Sequence, residues 1–353
     1  MRLWLHISPI WPLLRGFHRN GVANRVILVC IAVLCALQAA LVVGGSYVDG
    51  TWYSANGGTG FLEHYGLWAV LVSDPLLLIS AAYAYRRFRL AMARLPIVEG
   101  AVSKVTVSRI VTPHVDHLRL RRRGVYLYLL FIAVGVLGWL DNLYRTSHPY
   151  TYFDHDVFDS TNFDYGYFAT KLALFNSWIL IYPAVGFFLI SMSLSTRTIL
   201  IKLTESSLIQ PQVLHPDGSF GLSELGKLNV SLLFPYLLSF ITLFAVMLTH
   251  HRAYYSALIP LLILSALFIA ISYITISPVV SQVQKARKAA FKRLAFESTS
   301  FEQMDTSKKI TFVVERLSYG MSGRSPYSLS MQAALQFMRL VPIAMTASKL
   351  FAH

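Results

Sequence analysis

The chain has 353 residues, 55% of them hydrophobic and only 14% charged, and its mean hydropathy is +0.53. Those values exclude a disordered chain, which cannot be so apolar, and two cysteines cannot build a disulfide scaffold. They describe a membrane protein. A net charge of +14 also raises nucleic acid as a partner, so the positions of the 31 Lys and Arg decide between the two.

Six segments are apolar over about 20 residues, the length needed to cross roughly 30 Å of hydrocarbon: 25–44, 67–85, 125–143, 170–194, 230–249 and 257–276. All are expected to be helices, because open strands leave backbone groups unsatisfied in lipid. The predicted fold is therefore all-α: a polytopic bundle of six transmembrane helices with cytoplasmic and interfacial amphipathic helices. Residues 1–24 precede the bundle at the interface, 25–276 form it, and 277–353 make a cytoplasmic amphipathic region. Twenty-eight of the 31 Lys and Arg fall before or at the start of span one, between spans two and three, between four and five, or after six. Arg145, Lys171 and Arg252 alone take the other side, among Asp49, Glu63, Asp141, Asp154, Asp156, Asp159 and Asp164. The bias puts both termini in the cytoplasm. Topology thus accounts for the basic charge, and no nucleic acid is expected.

Span one carries Cys30 and Cys35, which point to different faces of one helix and read as reduced packing thiols. The glycine-rich loop around Asn56-Gly57-Gly58-Thr59-Gly60 follows no strand and precedes no Lys, so it reads as a turn rather than a phosphate cradle. In span two, Asp74 is the only acid well inside a crossing, and Pro75 follows it. A carboxylate there costs about 2.5–3.5 kcal/mol, and the proline frees a carbonyl one turn back, so the pair marks a proton or cation site. Asp141, Asn142, Lys171 and Asn176 are the other candidates for an ion path; of these, Lys171, Asn142 or Asn176 is also placed to satisfy Asp74 in a purely structural pairing.

Arg86, Arg87, Arg89, Arg119, Arg121, Arg122 and Arg123 bracket the first cytoplasmic loop at the bilayer surface, where anionic phospholipid headgroups are their expected contacts. Within that loop the β-branched run 102–111 fits a short hairpin or a broken helix, and His114 and His117 lack the further ligands of a metal site. The outer loop 144–168 is acidic and aromatic but has no calcium-loop register and no helical zinc pair. No metal or cofactor is expected. Around a pore this loop would form a negative vestibule. Pro183, Pro235 and Pro260 recur in spans four to six, as in the broken helices of transporters, yet no internal repeat accompanies them.

Before span five, His215-Pro216-Asp217-Gly218 suits a tight turn, and Gly221, Leu222 and Gly226 suit a closely packed segment entering the bundle. His215 and Asp217 resemble a base and its orienter, but no nucleophile or metal set joins them. Past span six, amphipathic helices are expected at 281–296, at 307–318 closed by Gly320, and from 328 onward, the last interrupted by Arg339 and Pro342.

The run His215-Pro216-Asp217-Gly218, then Gly221-Leu222 and Leu225-Gly226, with Pro326-Tyr327-Ser328 opening a helix that ends near Pro342, resembles bacterial multi-pass inner-membrane proteins of no known activity. Those carry a His-Pro-Asp-x-x-Gly-Gly-Leu loop before a span and a Trp-Pro-Phe-like step near the C-terminus. Here Phe220 replaces the first glycine of the pair and Tyr327 the phenylalanine. The resemblance covers mainly the second half and implies a bacterial inner membrane. The leading functional expectation is a non-enzymatic, oligomeric channel or transport-like subunit. Its alternatives are a structural or signalling protein that binds a cytosolic partner, and an interfacial lipid enzyme using His215 and Asp217. The partners this admits are the lipid bilayer, a second copy of the chain and a cytosolic protein.

Overall fold

The computed structural model describes residues 21–50, 52–53, 61–63, 65–98, 105–111, 175–211, 219–249, 273–298, 301–321 and scattered helical residues at 126–140, 169–173, 266–271 and 332–345. Among the described residues the secondary structure is almost wholly helical, with no strand. The helices are α1 (Gly21–Val48), α2 (Tyr65–Ala93), α3 (Tyr182–Glu205), α4 (Ser223–Thr249), α5 (Ser277–Ser298) and α6 (Thr306–Met321). A π-helical turn, Asn176–Ile181, leads directly into α3.

Among the described residues three helices are long and apolar enough to cross a membrane, Tyr65–Ala93, Ile179–Glu205 and Ser223–Ala245, which is compatible with a membrane protein. Their outward faces agree. Val72, Leu76 and Ile79 of α2, Leu194 of α3, and Phe234 and Ile241 of α4 are exposed, as lipid-facing residues should be. The helix over the first expected span is α1, with Val33, Leu34, Leu37 and Leu41 exposed along it. The first N-terminal residues, most of spans three and six, and the whole acidic outer loop lie outside the described residues.

The core lies where α2, α3 and α4 meet, with α2 and α4 in the most extensive helix contact. Ser80, Ala81, Ala84 and Ala91 give α2 a buried small-residue face that lets its neighbours approach closely. Against it pack Met192, Ile199 and Leu203 of α3 and Leu228, Leu232 and Leu233 of α4, all buried. Two buried valines, Val279 and Val283, seat α5 on the same core. The helix does not run on unbroken from the preceding residues: a turn at Thr275 and Ile276 precedes it, and Arg197 reaches the Ile274 carbonyl at 3.4 Å.

The chain leaves α3 by a Schellman-type stop. Ser207 sits at φ 52° and the Leu208 N–H donates to the Leu203 carbonyl at 2.9 Å. The strand-like residues that follow pair with those after α2: Ile97 and Ile209 form an antiparallel bridge, with Val98 N–H to Leu208 O and Gln210 N–H to Pro96 O, both at 3.0 Å. At the entry to α4, Ser219–Leu222 makes a tight turn closed by Leu222 N–H to Ser219 O at 2.9 Å. Both central residues, Phe220 (φ 60°) and Gly221 (φ 74°), are left-handed. Phenylalanine there costs about 1–2 kcal/mol of backbone energy, which the complete burial of its ring offsets.

The first-loop residues 105–111 are helical rather than paired in a hairpin. The helix expected to stop at Gly320 instead runs through it to Met321, since a glycine ends a helix only when the chain also turns left-handed there. Helices α5 and α6 form a hairpin around Leu294 and Phe312, with Phe301 in the link and a salt bridge from Arg293 to Glu315 at 2.6 Å.

Candidate functional site: a polar cluster inside the helix bundle

Asp74 is 1% exposed, within α2 and followed by a proline that cannot donate to the Leu71 carbonyl. Two other elements converge on it. From α3's approach, Ser177 Oγ donates to Asp74 Oδ2 at 2.6 Å; from α1, Gln38 Nε2 donates to the same oxygen at 3.1 Å. Asn176 Nδ2 in turn donates to Gln38 Oε1 at 2.6 Å, which fixes the Gln38 amide with its N–H toward the carboxylate. Asp74 Oδ1 is buried and has no hydrogen-bond partner.

The π turn is what presents Asn176 and Ser177. Pro183 stands in the first turn of α3, where a missing N–H is tolerated, and the chain before it widens so that the Tyr182 N–H bonds back to Ser177 O. Ser177 also lies 2.9 Å from the Ala173 carbonyl, a second acceptor for its one hydroxyl hydrogen.

A second polar string begins one residue before Asp74. Ser73 Oγ donates to Val70 O at 3.1 Å and lies 3.0 Å from the Tyr182 hydroxyl, which also bonds to Thr242 of α4. Neighbouring residues of α2 therefore tie α1 and the π turn on one side to α3 and α4 on the other. Cys35, a free thiol, lies one turn before Gln38 on α1.

Of the residues singled out from the sequence, Asn176 belongs to this cluster but reaches Asp74 through Gln38 and not directly. Asp141, Asn142, Lys171, His215, Pro216, Asp217, Gly218, Arg119, Arg121, Arg122 and Arg123 lie outside the described residues. Gly221, Leu222 and Gly226 line the turn into α4, with Leu222 buried and accepting the Gly226 N–H at 3.2 Å.

Arg86, Arg87 and Arg89 divide in role. Arg86 is exposed, Arg89 is half-buried, and Arg87 is committed to other side chains: its Nε donates to the Tyr83 hydroxyl at 2.7 Å and its Nη1 pairs with Glu224 at 3.3 Å. Glu224, in the first turn of α4 ahead of the expected crossing, also meets Lys227 at 2.8 Å and Arg94 at 3.6 Å. The Lys227 hydrogen bond, helped by the charges of Lys227, Arg87 and Arg94, holds its carboxyl below the ordinary 4.5 despite burial.

No family model, curated protein or solved structure matches the chain. Among the described residues no group of three or more His, Cys, Asp and Glu is placed to hold a metal ion.

Sequence reasoning missed Gln38, Ser177, Tyr182 and Glu224. Gln38 had a usable signal, as the lone amide in an otherwise apolar first span, and Ser177 adjoins the Asn176 already singled out.

Proposed function

We propose that the chain is a six-span, oligomeric protein of the bacterial inner membrane with both termini cytoplasmic, acting as a channel or transport-like subunit whose ion path passes Asp74. The carrying observation is a buried carboxylate, held by donors from two other elements, with one oxygen left unpartnered inside the bundle. A structural carboxylate gains most when both oxygens are bonded, and burying one open acceptor costs about 1–3 kcal/mol. A bound ion removes that penalty. The proline after Asp74 and the π turn opposite it supply the irregular backbone on which membrane proteins build such sites. In proteoliposomes the purified protein should pass ions, and Asp74→Asn should reduce that flux by an order of magnitude or more. Unchanged flux in the variant would remove the site from the path.

A second reading, a membrane protein that binds a cytosolic partner, draws on α6. There Ile310, Val313 and Val314 are exposed beside Lys308 and Lys309, an apolar stripe with a basic flank. Phe220, Leu222 and Leu225 offer such a partner nothing, because all three are buried.

A further inference from the structure

We infer that the species bound at Asp74 is a proton and not a metal cation. The purpose of that binding rests on the transport reading above; its chemistry rests on the cluster alone.

A metal cation must trade its hydration shell for several converging oxygens. Around Asp74 the neighbouring groups present hydrogens instead: the Ser177 O–H at 2.6 Å and the Gln38 N–H at 3.1 Å. The Gln38 carbonyl oxygen is turned away, occupied by Asn176 Nδ2 at 2.6 Å. Among the described side chains one open acceptor remains there, Asp74 Oδ1. A single side-chain oxygen cannot replace a hydration shell, whereas a proton needs only one donor–acceptor pair, which Asp74 Oδ2 and Ser177 Oγ supply at 2.6 Å.

The cluster also accommodates both protonation states without moving a heavy atom. With the carboxylate ionised, Ser177 and Gln38 both donate to Oδ2. With a proton on Oδ2, the carboxyl donates to Ser177 Oγ, and the serine hydrogen turns to the Ala173 carbonyl 2.9 Å away. One hydroxyl rotation exchanges the two patterns. An O–H bond forms at the carboxyl as the proton arrives and breaks as it leaves, and no electrons are transferred.

Among the described residues the titratable groups near Asp74 are Cys35 of α1 and Tyr182 of α3, while α4 carries only Tyr236 within its apolar stretch. Among the described residues no Lys, Arg or His side chain pairs with the carboxylate.

The test is infrared difference spectroscopy of the full chain in proteoliposomes between acid and alkaline pH. A protonated-carboxyl band should appear at acid pH and disappear at alkaline pH. It should be lost in Asp74→Asn and kept at a shifted frequency in Asp74→Glu, and its midpoint should be displaced in Ser177→Ala. Adding sodium, potassium or calcium to the wild-type protein at fixed pH should leave the band unchanged, a measurement that needs no variant to fold. A band removed by any of these cations, or one that survives Asp74→Asn, overturns the proton assignment. Sodium or potassium flux lost in Asp74→Asn, with that cation removing the band, sinks the proton assignment but leaves the transport reading. A titrating Asp74 band with no flux of any ion upholds the proton and sinks the transport reading.

Discussion

Replacing Glu224 with Gln should loosen the junction between α2 and α4 by about 2 kcal/mol, and the three cations around it do not share that loss equally. Arg94 makes the longest contact, 3.6 Å, from a side chain 65% exposed, so solvent and salt leave it near zero. Lys227 is closer at 2.8 Å but lies on the same helix, in the (i, i+3) geometry that contributes about 0.3–0.5 kcal/mol. Arg87 is 25% exposed, crosses from α2, and donates to an ionised acceptor, a bond of about 1.5 kcal/mol. A double-mutant cycle of Glu224→Gln and Arg87→Gln, read from unfolding free energies in mixed micelles, should therefore give a coupling of about 1–1.5 kcal/mol. The pH dependence has a definite sign. Because the folded carboxyl titrates below its ordinary 4.5, its contribution is complete above that pH and is lost as pH falls through the lower folded value. The wild type should lose stability in that acid range, and Glu224→Gln should lack that part of the loss. A coupling under about 0.3 kcal/mol would refute the view that this pair joins the two helices.

Ser207→Gly should stabilise the protein by about 0.5–1 kcal/mol in thermal unfolding, since glycine relieves the left-handed residue that ends α3. Phe220→Ala should cost about 3 kcal/mol, because the lost ring is fully buried while the backbone strain stays; a change under 1 kcal/mol would show that the turn does not seat α4. Gln38→Leu should cost about 1–3 kcal/mol by stranding both the Asn176 amide and an acceptor lone pair on Asp74, measurable as a lower unfolding midpoint. Phe312→Ala should open the α5–α6 hairpin to limited proteolysis near 299–305 while leaving the unfolding of the bundle unchanged, since the small Leu294–Phe312 cluster is separate from the main core.

The long apolar helices were legible because they depend on composition over long windows, and the buried acid was legible because carboxylates are so rare in such windows. Its partners were harder to read. Ser177 and Gln38 bond to it, two modest polar residues whose facing is set by helix rotation and not by sequence spacing, while Lys171 and Asn142, expected on chemical type, lie outside the described residues. The π turn could not be foreseen either: Pro183 announces an irregularity, but a kink, a break and a widened turn all answer it. The role of Arg87 went unread for a related reason. A run of arginines at a helix end looks like lipid contact, and only the approach of α4 shows that one of them is bound to Glu224. The helical state of 105–111 was left open because short β-branched runs satisfy either period.

The antiparallel bridge at Ile97 and Ile209 has a mechanical consequence. Two backbone hydrogen bonds lash together the segments that immediately follow α2 and α3, so neither rod can pivot at that end without hauling the other along. Any movement of α2 relative to α3 is thereby restrained at that end of both helices.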